Sequence, residues 1–206
     1  MKTSAVFAAA LLLGSPVAYP FAHLWDIQEV YTNADGTVQF VEFFTTGTAE
    51  FFLSSTQLQF QISGTVVNTF NFPNDLSGPT TANHTFLAGT SNFAALYGIT
   101  PDYIIPANFL NGGANRTLEF GPFFDEISLV GLPTNGVMSL NGIPGNDVPS
   151  ATSLNNMATP RNFAGLEITI PEPTTSNVLT MGAFAALAAR RRRQKRLTRE
   201  SGRLCS

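Results

Sequence analysis

The sequence predicts an all-β chain, a sandwich of two sheets, and three observations carry that expectation. Turn-forming clusters punctuate the body at NADG (33–36), FPND (72–75), NGG (111–113), PTNG (133–136) and PGND (144–147). Between them lie short stretches rich in Phe, Val, Ile and Thr, the residues that suit a pleated, half-buried surface. One of these, LQFQIS (58–63), alternates strictly between apolar and polar residues, which buries one face and wets the other as in an antiparallel sheet.

Taken in chain order, VQFVEFF (38–44) leaves the NADG turn as the first clear strand. LQFQIS places Leu58, Phe60 and Ile62 on one face and Gln59, Gln61 and Ser63 on the other. TVVNTFNF (65–72), RTLEF (116–120), DEISLV (125–130), VMSL (137–140) and LEITI (166–170) follow as further strands. About seven short strands in roughly 150 residues suit two packed sheets. A single short helix is expected over Asn92 to Tyr97, capped by the Ser91 hydroxyl and ended by Gly98 and Pro101. No period of about 20 to 50 residues repeats, which excludes solenoids and propellers.

The 206 residues include 18 Phe and are 44% hydrophobic, enough for one packed core. The formal charge of -3 conceals two unlike regions. Residues 23–170 hold only Arg116 and Arg161 against 12 carboxylates, a balance of -10, whereas residues 190–206 hold eight basic residues and one Glu, a balance of +7. A body without lysine repels phosphate backbones, so nucleic acid is not an expected partner. The single cysteine, Cys205, excludes an intramolecular disulfide and is a poor candidate for a catalytic thiol.

The two ends read as addresses. Met1 and Lys2, the apolar run AVFAAALLLG (5–14) and the helix-breaking SPVAYPFA (15–22) form a cleavable secretory signal peptide over residues 1–22. Near the other end, 16 residues separate Pro173 from Arg190. As a helix they reach roughly 24 Å, short of a ~30 Å hydrocarbon core, so a single membrane helix there needs arginine snorkelling or local thinning. Arg190, Arg191, Arg192 and Arg193, with Lys195 and Arg196 behind them, hold that end in the cytoplasm, which turns residues 23–170 outward.

Pro171, Glu172 and Pro173, the short apolar run and the arginine cluster together resemble the PEP-CTERM sorting signal of exported Gram-negative proteins. The resemblance implies a membrane-embedded exosortase-like enzyme as processing partner. It also implies a destination at the cell surface or in the extracellular polysaccharide. Family tails usually stop within a few residues of the arginines, and this one continues through QKRLTRESGRLCS (194–206). The expected organisation is a signal peptide (1–22), a sandwich (23–150), a linker with the last strand (151–170), the sorting signal (171–196) and a basic tail (197–206).

The body carries a second resemblance. WDIQEVYTNADGTVQFVEFF (25–44), then NHTFLAG (83–89), a short helix, TPDYIIPANFL (100–110) and SLNG (139–142) look like the lamin-tail-like modules of exported bacterial proteins. This covers roughly residues 24–145 and implies an immunoglobulin-like sandwich used for binding or display. It brings no active site with it.

Chemistry was sought residue by residue. There is no G-x-S-x-G, no phosphate-binding glycine loop and no cysteine-based zinc spacing. Glu29, Glu42, Asp125 and Glu126 are the carboxylates available for a glycosidase pair, which needs two carboxyls ~5 to 9.5 Å apart across a cleft. Asn33 and Asp35, or Asn146 and Asp147, offer oxygen ligands for calcium, yet each loop has one acid and such residues are also what tight turns select. A cut after Ala22 gives His23 a free amine; with its imidazole and that of His84 this makes three nitrogen donors for copper, as in polysaccharide monooxygenases. Two unrelated surface histidines are the ordinary alternative. Trp25, Tyr31, Tyr97 and Tyr103 stack on sugars if exposed and fill the core if not. The sequons at Asn83 and Asn115 matter only in a eukaryotic secretory pathway. The expectation is an exported, non-enzymatic surface or matrix protein without a cofactor, anchored by its C-terminal helix until processed, with exopolysaccharide as a candidate partner. An exported polysaccharide enzyme, using copper or a carboxylate pair, is the alternative.

Overall fold

A computed structural model describes residues 22–142 and 154–171. In chain order the strands are β1 (Asp26–Thr32), β2 (Gln39–Thr45), β3 (Gln57–Ile62), β4 (Thr65–Asn71) and β5 (His84–Gly89). After helix α1 (Ser91–Tyr97) come β6 (Tyr103–Ile104), β7 (Arg116–Phe120), β8 (Asp125–Ser128), β9 (Met138–Asn141) and β10 (Leu154–Met157). They form a six-stranded sheet in the order β10-β9-β1-β2-β5-β6 and a four-stranded sheet in the order β4-β3-β7-β8. Every pairing is antiparallel except that of β5 with β6, which the crossover through α1 makes parallel.

The two sheets close on one core. Trp25, Ile27, Val41, Phe43 and Phe86 from the larger sheet meet Leu58, Phe60, Leu118, Phe120 and Ile127 from the smaller. The Phe43 ring stacks on Phe86 at 4.3 Å between centroids and leans on Phe120 at 5.2 Å, contacts that add about 0.5 to 1.5 kcal/mol each beyond area burial. Trp25 lies wholly in this core and satisfies its one donor by bonding the Glu50 carbonyl at 2.7 Å. The alternation of LQFQIS is realised: Leu58 and Phe60 are buried, Ile62 packs at the margin of the core, and the glutamines between them are partly exposed.

The larger sheet is covered on its outer face too. Tyr31, Phe40, Leu87, Phe93, Ile99, Ala158 and Ile170 form a second cluster, to which α1 contributes Phe93 and the closing segment contributes Ala158 and Ile170. Both faces of β2 are therefore apolar, which explains why VQFVEFF shows no clean alternation.

Three local features differ from the sequence expectation. The helix begins one residue earlier, with Thr90 in extended geometry accepting the Phe93 N–H at 3.3 Å, so Thr90 and not Ser91 is the cap. Gly98 ends it in the left-handed region at φ +71°, as its sequence position implies. LEITI forms no strand; its only ladder contact is one bridge between Arg161 and Glu167, because the chain reverses at Gly165 (φ +80°) and lies on the sheet instead of within it. The short strands β6 and β10 carry no apolar alternation long enough to read. Residues 1–21 and 172–206, which hold most of the expected signal peptide and all of the expected C-terminal helix, lie outside the described residues. Among the described residues no helix is long and apolar enough to cross a membrane.

Candidate functional site

Buried carboxylates mark the outer face of the larger sheet. A bulge between Ile27 and Glu29 sets the β1–β2 register so that Glu29 stands directly opposite Glu42. They share a face with Tyr31 and Phe40, two positions further along each strand. Both acids are almost fully buried, at 2% and 3% exposure, and like charges at facing positions oppose pairing. Burial, the largest cause, raises the Glu29 pKa and pushes that of Glu42 up to about 8, with the neighbouring Glu29 charge adding to the latter.

The cover over these acids is the segment 158–170, folded as a narrow hairpin. Ile168 N–H bonds the Pro160 carbonyl at 3.2 Å and Ile170 N–H bonds that of Ala158 at 2.9 Å. Arg161 pairs with Glu167 across it, both half-exposed, and Asn162 caps its bend by accepting Leu166 N–H at 2.9 Å. The outgoing arm crosses the sheet and is held at alternate residues. Thr159 N–H donates to Glu29 Oε1 at 3.0 Å, Arg161 N–H donates to Glu42 Oε2, and Phe163 N–H donates to Asp102 Oδ2 at 2.9 Å. Ser139 on β9 also donates to Glu29, and Leu87 N–H shares Asp102 Oδ2 at 2.8 Å. The Asp102 pKa is likewise raised, chiefly by burial.

The four carboxylates expected as glycosidase candidates separate into two places. Glu29 and Glu42 lie under the hairpin, where Glu29 Oε1 and Glu42 Oε2 each accept a backbone N–H from it. Asp125 sits on β8 and accepts Ile27 N–H at 2.5 Å, linking the two sheets, while Glu126 stands opposite Glu119 in the smaller sheet. This arrangement binds the chain to itself, with buried acids taking the N–H groups that a strand crossing a sheet face cannot pair in a ladder.

The histidines have separate partners. His23 Nδ1 lies 3.8 Å from Glu50 Oε2, and Glu50 also accepts the His23 and Leu24 N–H groups at 2.7 and 3.2 Å. His84 Nδ1 is 3.0 Å from the Ala82 carbonyl, and its ring leans on Phe163. Among the described residues no group of three or more His, Cys, Asp or Glu side chains could hold a metal.

Asp35 is occupied within its turn, where Oδ1 accepts the Thr37 N–H at 3.0 Å and hydroxyl at 2.6 Å; these bonds hold its pKa low. Beside it a pocket of about 150 Å³ opens between this turn and the 108–112 loop, lined by Asn33, Asp35, Asn108, Asn111 and Thr134 among others. A second pocket of similar size lies between Asp75, Asp102, Tyr103 and Phe163. Trp25, Tyr31 and Tyr103 are buried, which removes them as sugar platforms. Asn146 and Asp147 lie outside the described residues, as do Glu172, Pro173 and Arg190 to Arg193; Pro171 is the last residue described.

The sequence offers Glu29 and Glu42 as reactive carboxylates, and the structure shows them accepting hairpin amides; nothing in the sequence points to Asp102, Ser139 or those amides. The legible signal was two glutamates inside the most hydrophobic hairpin of the chain, where an acid without a partner is costly. No family model, curated protein or solved structure matches this chain.

Proposed function

We propose that this chain is an exported, non-enzymatic display module whose body is an immunoglobulin-like sandwich of the lamin-tail-like kind, sorted by its PEP-CTERM-like end. One observation carries the reading: the Pro171-Glu172-Pro173 motif stands directly behind the hairpin 158–170, whose Ile170 N–H bonds the Ala158 carbonyl. The apolar run and Arg190 to Arg193 behind the motif supply the membrane stop. The order of the β1–β2 hairpin, β5, α1 and β6 supports the lamin-tail-like assignment. The employment of Glu29, Glu42, Asp102 and Asp125 in holding backbone amides favours display over hydrolysis. The surface of such a module would contact extracellular polysaccharide.

The deciding measurement is the intact mass of the protein from its native host, in membrane and extracellular fractions. The expected extracellular product begins at His23 and ends in the Pro171 to Pro173 region. A product that retains Arg190 to Ser206 in every fraction overturns the reading.

A further inference from the structure

We propose that the hairpin 158–170 is a latch that undocks from the outer face as a unit, with the sandwich beneath it still folded, when the facing pair Glu29 and Glu42 ionises. The geometry is that of a removable part. The hairpin holds itself together through the Ile168–Pro160 and Ile170–Ala158 backbone bonds and the Arg161–Glu167 pair. Its hold on the sheet runs through the three acids at residues 159, 161 and 163, the Ala158 N–H on the Val137 carbonyl, Asn162 Nδ2 on the Thr100 carbonyl, the Thr85 hydroxyl on the Asn162 carbonyl, and apolar contacts by Ala158, Ile168 and Ile170 on the outer cluster and by the partly buried Phe163. The fully buried residues of the core between the sheets, Phe43, Phe86 and Phe120 among them, come from outside the hairpin, and Phe163 is the hairpin side chain that packs against that core, at its margin.

Among the described residues the charged and titratable groups facing the pair are few. Glu29 comes from β1 and Glu42 from β2, while Arg161 and Glu167 come from the hairpin itself. Asp102 holds the far end from the loop ahead of β6, His84 of β5 touches Phe163, and Tyr31 bonds Tyr97 of α1 at 3.2 Å further along the same face. Arg161 is the one cation among them, and its guanidinium is engaged by Glu167 at the surface. Two ionised glutamates under the closed hairpin therefore face each other with little compensation. Opening admits water and returns them to the ordinary carboxylate range. With Glu42 titrating at about 8 when covered and near 4.5 when open, each pH unit between those values multiplies the open fraction about tenfold. Resting on the sorting reading, opening also frees 13 residues, which extended lengthen the tether before Pro171 by roughly 40 Å.

The sequence supplies its own probe, because residues 23–170 contain two tryptic sites, Arg161 in the hairpin and Arg116 at the start of β7. Limited trypsinolysis of the full chain is followed by mass spectrometry at pH 6.5 and 8.0, with rates normalised to free peptides bearing the same bonds. The latch predicts that cleavage after Arg161 rises at least about tenfold across this range while cleavage after Arg116 does not, and that Glu42→Gln, a neutral acceptor of the same shape, abolishes the rise. Cleavage at both arginines in constant ratio means global unfolding and overturns the proposal, as does an equal rise in Glu42→Gln. Should that variant fail to fold, the wild-type ratio of the two sites decides alone. The readout is independent of sorting, so a chain that is never processed still tests the latch.

Discussion

Glu42 is the residue on which the electrostatics of the body turn. Its folded pKa, about 8, lies above the ordinary 4.5, so between those values the folded protein holds a proton that the unfolded chain has released. The associated stability is fully present below pH 4.5 and is lost as pH rises through 8, at up to about 1.4 kcal/mol per unit. Urea unfolding between pH 5 and 9 is therefore expected to show falling stability, and Glu42→Gln a much flatter profile. A pH-independent wild type would contradict the burial of this acid. Gly142 offers a steric test at the same scale: a Cβ there would stand 2.1 Å from the Ile27 carbonyl oxygen, a backbone atom that cannot swing away. Gly142→Ala should cost roughly 1 to 3 kcal/mol in the same experiment, the usual range for overpacking, whereas Gly64→Ala meets nothing within 4 Å and pays only for its left-handed backbone.

Among the elements, α1 and the hairpin cover neighbouring parts of one sheet face by different means, and that difference decides what the sequence disclosed. The helix was legible from Gly98 and Pro101 at one end and hydroxyl residues at the other; only the choice between Thr90 and Ser91 needed the structure, since both side chains can cap. Thr90→Ala is expected to lower stability by about 1 kcal/mol and Ser91→Ala by markedly less, in parallel thermal melts. Strands β2, β3, β4 and β7 were legible because β-branched and aromatic residues fill them between turn glycines. The hairpin was not, because Pro160 to Ile170 is held by side-chain acids distant in sequence, and a pattern of period two cannot report a partner 119 residues away, as Arg161 and Glu42 are. The same lack of local signal hid Asp102, a single acid beside Pro101, whose role appears only when β5 and residue 163 are brought to it.

At the scale of the whole molecule, the acidic body covers residues 23–170 and the basic tail begins at Arg190. Among the described residues the two clusters of buried apolar side chains lie within 22–170, and the body is expected to fold without either terminal segment. A chain of residues 23–171 is expected to melt within a few degrees of full length. A chain of residues 23–157 keeps the fully buried Phe43, Phe86 and Phe120 of the core between the sheets but loses Phe163 from its margin and Ala158, Ile168 and Ile170 from the outer cluster, and leaves Glu29 and Glu42 open to water. Its melting temperature is expected to fall by roughly 2 to 4 °C, the shift that about 1 kcal/mol produces in a domain near 150 residues, and to fall further if Tyr31 and Phe40 are exposed. The more telling change is in pH dependence. With the cover gone both glutamates titrate in water, so the decline in stability between pH 5 and 9 should disappear along with the hairpin. If the shorter chain retains that decline, the proton is held by something other than the covered pair, and the coupling between hairpin and carboxylates fails with it.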